Sequence, residues 1–403
     1  MAAVRRESDA VAVYRISTRS MFALVLVAFA VTRLSILPAV LEFRGDEILY
    51  RDWAVLIGEN QFPINDDMYQ YPPAAGMAFW MMELMPGDFH RVFTLAMMAS
   101  DAAILLLLLL QVCRRKLSWR GPWAWVIGGA LSGTLLFERY DVLPTLLAVS
   151  ALLVVARPYI AGAIAGLGAM VKVWPIFTLF ALRREDFWKG VVGALASMSV
   201  VTLAAFIVAR DPFSFLMGQS GRGLQIEAGL AAPVLLAAQL GLVSAPTVNR
   251  FGSNELDSDL ATAAAWLGIA CAVVLLGLLL IQLLRGRLNE IPGADVAFVA
   301  VIVFVAFNRV NSSQFFIWIA GVSAVALLNR RSRMVIPIVL AYLSMFTIKE
   351  YLGPFFWALQ AQNIEPVLLQ GIRALLLMSS ALIAWWFVVS RRVYRTRKSR
   401  FSR

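Results

Sequence analysis

Six consecutive leucines, Leu105 to Leu110, lie in an apolar stretch, and Val273 to Leu280 and Leu375 to Val389 lie in two more. A helix needs about 20 predominantly apolar residues to cross a bilayer, and these stretches are long enough. Of 403 residues, 60% are hydrophobic and 15% charged, whereas soluble domains carry about 45–50% apolar and 25% charged residues. Segments of alternating polarity, which a membrane barrel requires, are absent. The chain is therefore expected to be an all-α, multi-pass membrane protein.

Several chemistries drop out at once. His90 is the single histidine, so no histidine pair or HExxH helix can hold zinc, and Cys113 and Cys271 form neither a CxxC nor a disulfide framework. No metal and no cofactor is expected. The net charge of +11 could suggest nucleic acid, but the basic residues sit in short loops between apolar runs, where the positive-inside rule accounts for them. No short apolar leader with an A-x-A site precedes a soluble chain, so residues 21–40 read as a retained first span.

The basic residues also set the topology. Arg5, Arg6, Arg15 and Arg19 place residues 1–20 in the cytoplasm, and residues 41–71 beyond the first span carry seven acids against Arg44 and Arg51. Residues 72–85 open on a double proline and are too short to span, so they read as an interfacial helix on the outer side. Spans then follow at 91–112, 123–137 and 141–156. Between Arg157 and Arg183 an apolar stretch interrupted by Lys172 and Pro175 reads as a cytoplasmic hairpin or a broken helix. Further spans are expected at 188–209, 260–284, 294–307, 315–328, 334–348 and 368–389. That makes about ten full spans in one membrane domain, 21–390, with outer loops at 41–90 and 210–259. The tail, 391–403, holds seven basic residues and reads as cytoplasmic, with anionic lipid within its reach. Any chemistry should sit on the outer face.

Polar residues at the ends of spans then need an account. Asp46 follows a glycine just past the first span, with Tyr50 one helical turn on; it serves equally as a helix cap and as a ligand-facing carboxylate. Tyr69-Gln70-Tyr71-Pro72-Pro73 suits a membrane-interface anchor. Glu138-Arg139-Tyr140-Asp141 is either a self-neutralising turn or a second wall of the same site. Lys172 in the hairpin either snorkels or pairs with an acid or a phosphate. Arg222 and Glu227 stand on either side of Gln225; the arginine fork either matches phosphate or carboxylate oxygens or is a surface arginine in a flexible loop. Asn308, Arg309 and Gln314 belong to a polar run that serves as a turn or as a sugar-binding edge. Carboxylates, cations and aromatics together suit a polyol and an anionic phosphate.

In this order, Gly45-Asp46 with Tyr50 and Trp53, Tyr71-Pro72-Pro73, Arg139-Tyr140-Asp141, Lys172 with Pro175, Arg222 to Glu227, and Asn308-Arg309 with Ser313-Gln314 resemble the GT-C superfamily of integral-membrane glycosyltransferases. Within it they resemble the family 87 type of actinobacteria, which includes polyprenyl-phosphate-mannose-dependent α-mannosyltransferases. The resemblance implies that Asp46 is a general base towards an acceptor hydroxyl. That oxygen would displace a polyprenyl phosphate from the anomeric carbon with inversion. Arg222, Lys172 and Arg309, in that order, would offset the phosphate charge. Tyr50, Tyr71, Glu138, Arg139, Asp141, Gln225, Glu227, Asn308 and Gln314 would line the sugar and acceptor sites. The implied partners are a polyprenyl-phosphate-linked sugar, a glycolipid or lipoglycan acceptor and the bilayer, with no nucleic acid. One departure is a serine, Ser313, directly before Gln314 where the family pattern has proline. Arabinofuranose on the same carrier is the alternative sugar. From a different class, a flippase of lipid-linked sugars would also show many helices and buried charge, though the chain has no repeated halves.

Overall fold

The computed structural model describes residues 17–42, 45–64, 66–216, 221–348 and 354–390. Arg5, Arg6, Arg15, Arg44 and the basic tail, which carried much of the reading of sidedness, lie outside the described residues. Helices form where the apolar runs stand. Thr18–Glu42, Phe89–Arg115, Arg184–Val208, Asp259–Leu284 and Ile364–Ser390 are 25 to 27 residues long, about 40 Å at 1.5 Å per residue, enough to cross a bilayer. The first of these breaks between Leu34 and Leu37, where Pro38 can donate no backbone hydrogen bond. Their outward faces stay apolar, with Val200, Leu203 and Ile207 exposed, a surface that lipid rather than water would cover.

The other expected spans are shorter helices: Arg120–Ser132, Val142–Leu153, Gly293–Phe307, Phe315–Leu328 and Val335–Ile348. Two of these form the centre of the bundle. Phe315–Leu328 is buried along its whole length, and Val296 to Val303 of Gly293–Phe307 are buried without a break. Apolar on every face, such helices belong inside a protein rather than against water. One end of each of these two, and of Val142–Leu153, meets a polar loop, 308–314 or 138–141, so they are short because the bundle opens there into a polar region.

The stretch between Arg157 and Arg183 is a hairpin. Pro158–Val171 rises as an α-helix, breaks at Lys172, and returns as the 3₁₀ helix Trp174–Ala181. Pro175 packs on Gly168, where an added Cβ would lie 2.8 Å from the proline ring. Against Arg184–Val208 the contact is backbone to backbone: a Cβ on Gly162 would collide with the carbonyl of Gly190, and one on Gly193 with that of Tyr159. Small residues let apolar helices approach this closely.

Within the bundle Arg33 and Asp101 form a buried bidentate pair, Nε to Oδ2 at 2.9 Å and Nη2 to Oδ1 at 3.1 Å, with Nη1 donating to the Val126 carbonyl at 2.9 Å. Gly129 leaves room for the guanidinium. The pair joins three helices. Arg33→Met strands the Asp101 carboxylate and is expected to cost about 3–5 kcal/mol. Thermal unfolding in detergent checks this: Asp101→Leu added to Arg33→Met should recover much of the loss, and an unchanged midpoint in the single variant would refute it.

At one end of the bundle the two long connecting segments build a cap. Glu47–Gly58 and Pro73–Glu83 come from the first; the latter keeps Pro73, Ala75, Gly76 and Phe79 buried and is followed by exposed Leu84 and Met85. The second contributes the helix Ala231–Gln239 and a three-stranded antiparallel sheet ordered β1-β3-β2: β1 Leu224–Gln225, β2 Thr247–Arg250, β3 Ser253–Leu256. The sequence reading contains no strands. At two to four residues each they are too short for a period-2 pattern to register. Phe251 and Gly252, at φ 53° and 67°, make the hairpin turn in the geometry that suits strand twist. Phe62 N–H donates to the Arg210 carbonyl and Gln70 Nε2 to that of Phe251, so the two segments form a single cap.

Candidate active site

Asp46 occupies the N-cap position of Glu47–Gly58, yet its side chain makes no capping hydrogen bond. Its carboxylate is ion-paired with Arg139, and both side chains are partly exposed. The spacing alone left open whether this aspartate caps a helix or faces a ligand; the carboxylate is turned away from the helix towards a cation.

Arg139 and its neighbours reach three different places because the backbone is extended at Arg139, φ −120° and ψ 147°, between the short helix Leu135–Glu138 and Val142–Leu153. Arg139 faces Asp46. Tyr140 enters an aromatic cluster. Asp141 is buried, and its Oδ1 accepts from Lys172 Nζ at 2.7 Å and from Trp318 Nε1 at 2.6 Å. The Lys172 ammonium also lies 4.6 Å from the Tyr140 ring centroid and 5.1 Å from that of Trp318. Of the partners expected for Lys172, an acid or a phosphate, the structure supplies the acid. Asp141 Oδ2, the Tyr140 hydroxyl and Arg222 Nε are buried with no hydrogen-bond partner among the described residues.

Tyr50 is fully buried, stacked on Phe79 at 4.5 Å, with Tyr71 and Tyr140 edge-on at 5.9 and 5.6 Å. Its ring is thus enclosed in the aromatic cluster. Tyr71 is half-buried and within electrostatic range of both Asp141 and Arg222, so it links the two cation clusters. Burial first, then Asp141, pushes its phenol up to about 12, against the hydrogen bond with Tyr50 and the charge of Arg222. Burial likewise holds the Tyr50 and Tyr140 phenols well above their ordinary value. These phenols therefore stay neutral near pH 7. Burial also raises the Glu138 carboxyl and lowers the Arg139 guanidinium, which Asp141 and Glu227 pull back up.

On the cap, Arg222 is held by the sheet. Its Nη2 donates to Ser253 Oγ at 3.0 Å and to the Phe251 carbonyl at 3.3 Å, and its Nε is 3.7 Å from Glu255 Oε1. Glu255 Oε2 accepts the Gly223 N–H at 2.9 Å. Burial lowers both Arg222 and Arg309, and Glu255 opposes the shift in each. Gln225 and Glu227 stabilise the loop 308–314: Gln225 Oε1 accepts the Asn311 N–H at 2.8 Å, and Glu227 Oε1 accepts from Ser313 Oγ at 2.6 Å. Asn308 Oδ1 accepts the Val310 N–H at 3.1 Å, closing a turn, and Gln314 starts the helix Phe315–Leu328.

The structure thus brings the expected residues to one end of the bundle. Asp46 pairs with Arg139, Asp141 with Lys172, and Arg222 and Arg309 lie near each other with Tyr71 between Arg222 and Asp141. Four further residues belong to this region. Arg373 donates through Nη1 to the Glu227 carbonyl at 2.9 Å and through Nη2 to that of Asn311 at 3.2 Å; a single charge inside the apolar run 368–389 was the signal for it. Glu255 carried no sequence signal without the strand pairing. Glu47 and His90 form a buried pair, Oε1 to Nδ1 at 3.1 Å, in a region where the histidine could be read only for zinc.

No curated protein and no solved structure matches the chain. Residues 69–222, which run from the aromatic cap through Arg139, Asp141 and Lys172 to Arg222, match the model of glycosyltransferase family 87, and this similarity supports a membrane glycosyltransferase.

Proposed function

We propose that the chain is an inverting glycosyltransferase that moves a sugar, mannose in the first instance, from a polyprenyl-phosphate carrier to a hydroxyl of a glycolipid or lipoglycan acceptor on the outer face of the membrane. One observation carries the reading: a partly exposed carboxylate, Asp46, makes no capping hydrogen bond and is ion-paired with Arg139, a guanidinium that also feels the charges of Asp141 and Glu227. In the reaction Asp46 accepts the proton of the acceptor hydroxyl. The oxygen bonds to the anomeric carbon as the bond from that carbon to the phosphate oxygen breaks, and the electron pair leaves with the phosphate. Arg222 and Arg309 offset the charge that develops there. Lys172 acts with Asp141, since the two are already paired. No cofactor is needed, because the leaving group is already a phosphate.

The buried polar atoms without partners, Asp141 Oδ2, the Tyr140 hydroxyl and Arg222 Nε, favour a polyol and an anion, since such atoms are costly until hydrogen-bonded. The test is to incubate the purified protein in lipid with polyprenyl-phosphate mannose or arabinofuranose and a panel of glycolipid acceptors, then analyse the products. Transfer of mannose is expected. Transfer of arabinofuranose alone would correct the sugar, and transfer from neither carrier would refute the reading.

A further inference from the structure

We infer that the buried Glu47–His90 pair is a positioning device for Asp46; the inference rests on the reading of Asp46 as the base. An aspartate at an N-cap ordinarily turns its carboxylate inward onto the first free N–H groups of the helix. Asp46 does not. The next side chain reaches back instead: Glu47 Oε2 accepts the Gly45 N–H at 2.7 Å, which ties down the backbone immediately before Asp46. The other oxygen of Glu47 is anchored by His90, the second residue of Phe89–Arg115. A carboxylate oxygen only accepts, so His90 Nδ1 carries the hydrogen.

Glu47 and His90 are 3% and 7% exposed, and a buried acid and imidazole are tolerated when paired. The pair therefore fastens a loop residue to a helix that runs the length of the bundle. Its reach extends to the other side of the ion pair, because Glu138, which precedes Arg139, interacts electrostatically with both Glu47 and His90. His90 Nε2 has no hydrogen-bond partner among the described residues, so within them the imidazole is engaged through Nδ1. This accounts for two residues that the transfer chemistry itself does not use.

Turnover, donor KM and thermal stability of Glu47→Ala, Glu47→Gln and His90→Ala test the assignment. A displaced base lowers kcat without weakening ground-state binding. The two alanine variants are expected to lose about tenfold to a hundredfold in kcat, with donor KM within about twofold of the parent. Glu47→Gln keeps an acceptor for the Gly45 N–H and should retain most of the turnover. Should Glu47→Ala fail to fold, Glu47→Gln and His90→Ala carry the same test. Full turnover in His90→Ala, or a loss of kcat matched by a loss of donor binding, would overturn the positioning role. Asp46→Asn separates the two claims. If it loses turnover while the Glu47 and His90 variants keep theirs, the positioning role alone falls. If it keeps turnover, the base reading falls and takes this inference with it.

Discussion

Asp46→Asn is expected to cut turnover by about 10²–10⁴-fold, the usual contribution of a positioned base, while donor binding stays close to that of the parent. The amide keeps the size and one acceptor of the carboxylate but cannot take a proton. Loss of stability is not expected to confuse the result, because the Asp46–Arg139 pair is partly exposed and such pairs are worth about 1 kcal/mol or less. Steady-state transfer together with donor binding checks both halves. A flippase would tolerate the substitution, so retained sugar translocation with no transfer in either protein would favour that class instead.

Arg222→Ala is the second large effect, with an expected loss of about 10²–10³-fold in kcat/KM, the scale for removing one stabiliser of developing charge. Arg222 is held from several sides, by Ser253, the Phe251 carbonyl and Glu255, which leaves its charge preorganised. Removal also leaves Glu255 buried with one fewer cation, so stability should fall as well. Arg222→Lys separates the contributions. It restores the charge but not the planar fork, and should recover stability more fully than kcat/KM. Unchanged kcat/KM in Arg222→Ala would remove this arginine from the donor site.

The positions of the apolar helices were legible because each rests on one strong signal, an apolar run ended by charge, although only five of the expected spans are helices long and apolar enough to cross a bilayer among the described residues; the break at Lys172 was legible because a charge and a proline interrupt such a run. What could not be read was pairing across the chain. Lys172 showed its need for a partner but not that the partner is Asp141, 31 positions earlier. Arg33 and Asp101 each sit near or within apolar runs, and only the packing of three helices shows that they neutralise each other. The strands that hold Arg222, two to four residues each, are too short to carry an alternating pattern. Tyr50 follows Asp46 by one turn, a spacing that gives a shared helix face but not the stacking of its ring on Phe79 inside the cap. By spacing Asp46 was equally a cap and a ligand-facing carboxylate, and only the direction of its side chain, which makes no capping hydrogen bond, speaks against the cap.

The most direct measurement is the anomeric configuration of the transferred sugar, read by NMR on the product of a single turnover from a polyprenyl-phosphate-linked donor. A base that activates the acceptor for direct displacement predicts a configuration opposite to that of the donor. Retention would require a double displacement or attack on the face from which the phosphate departs, and would contradict the single inverting displacement in which Asp46 is the base.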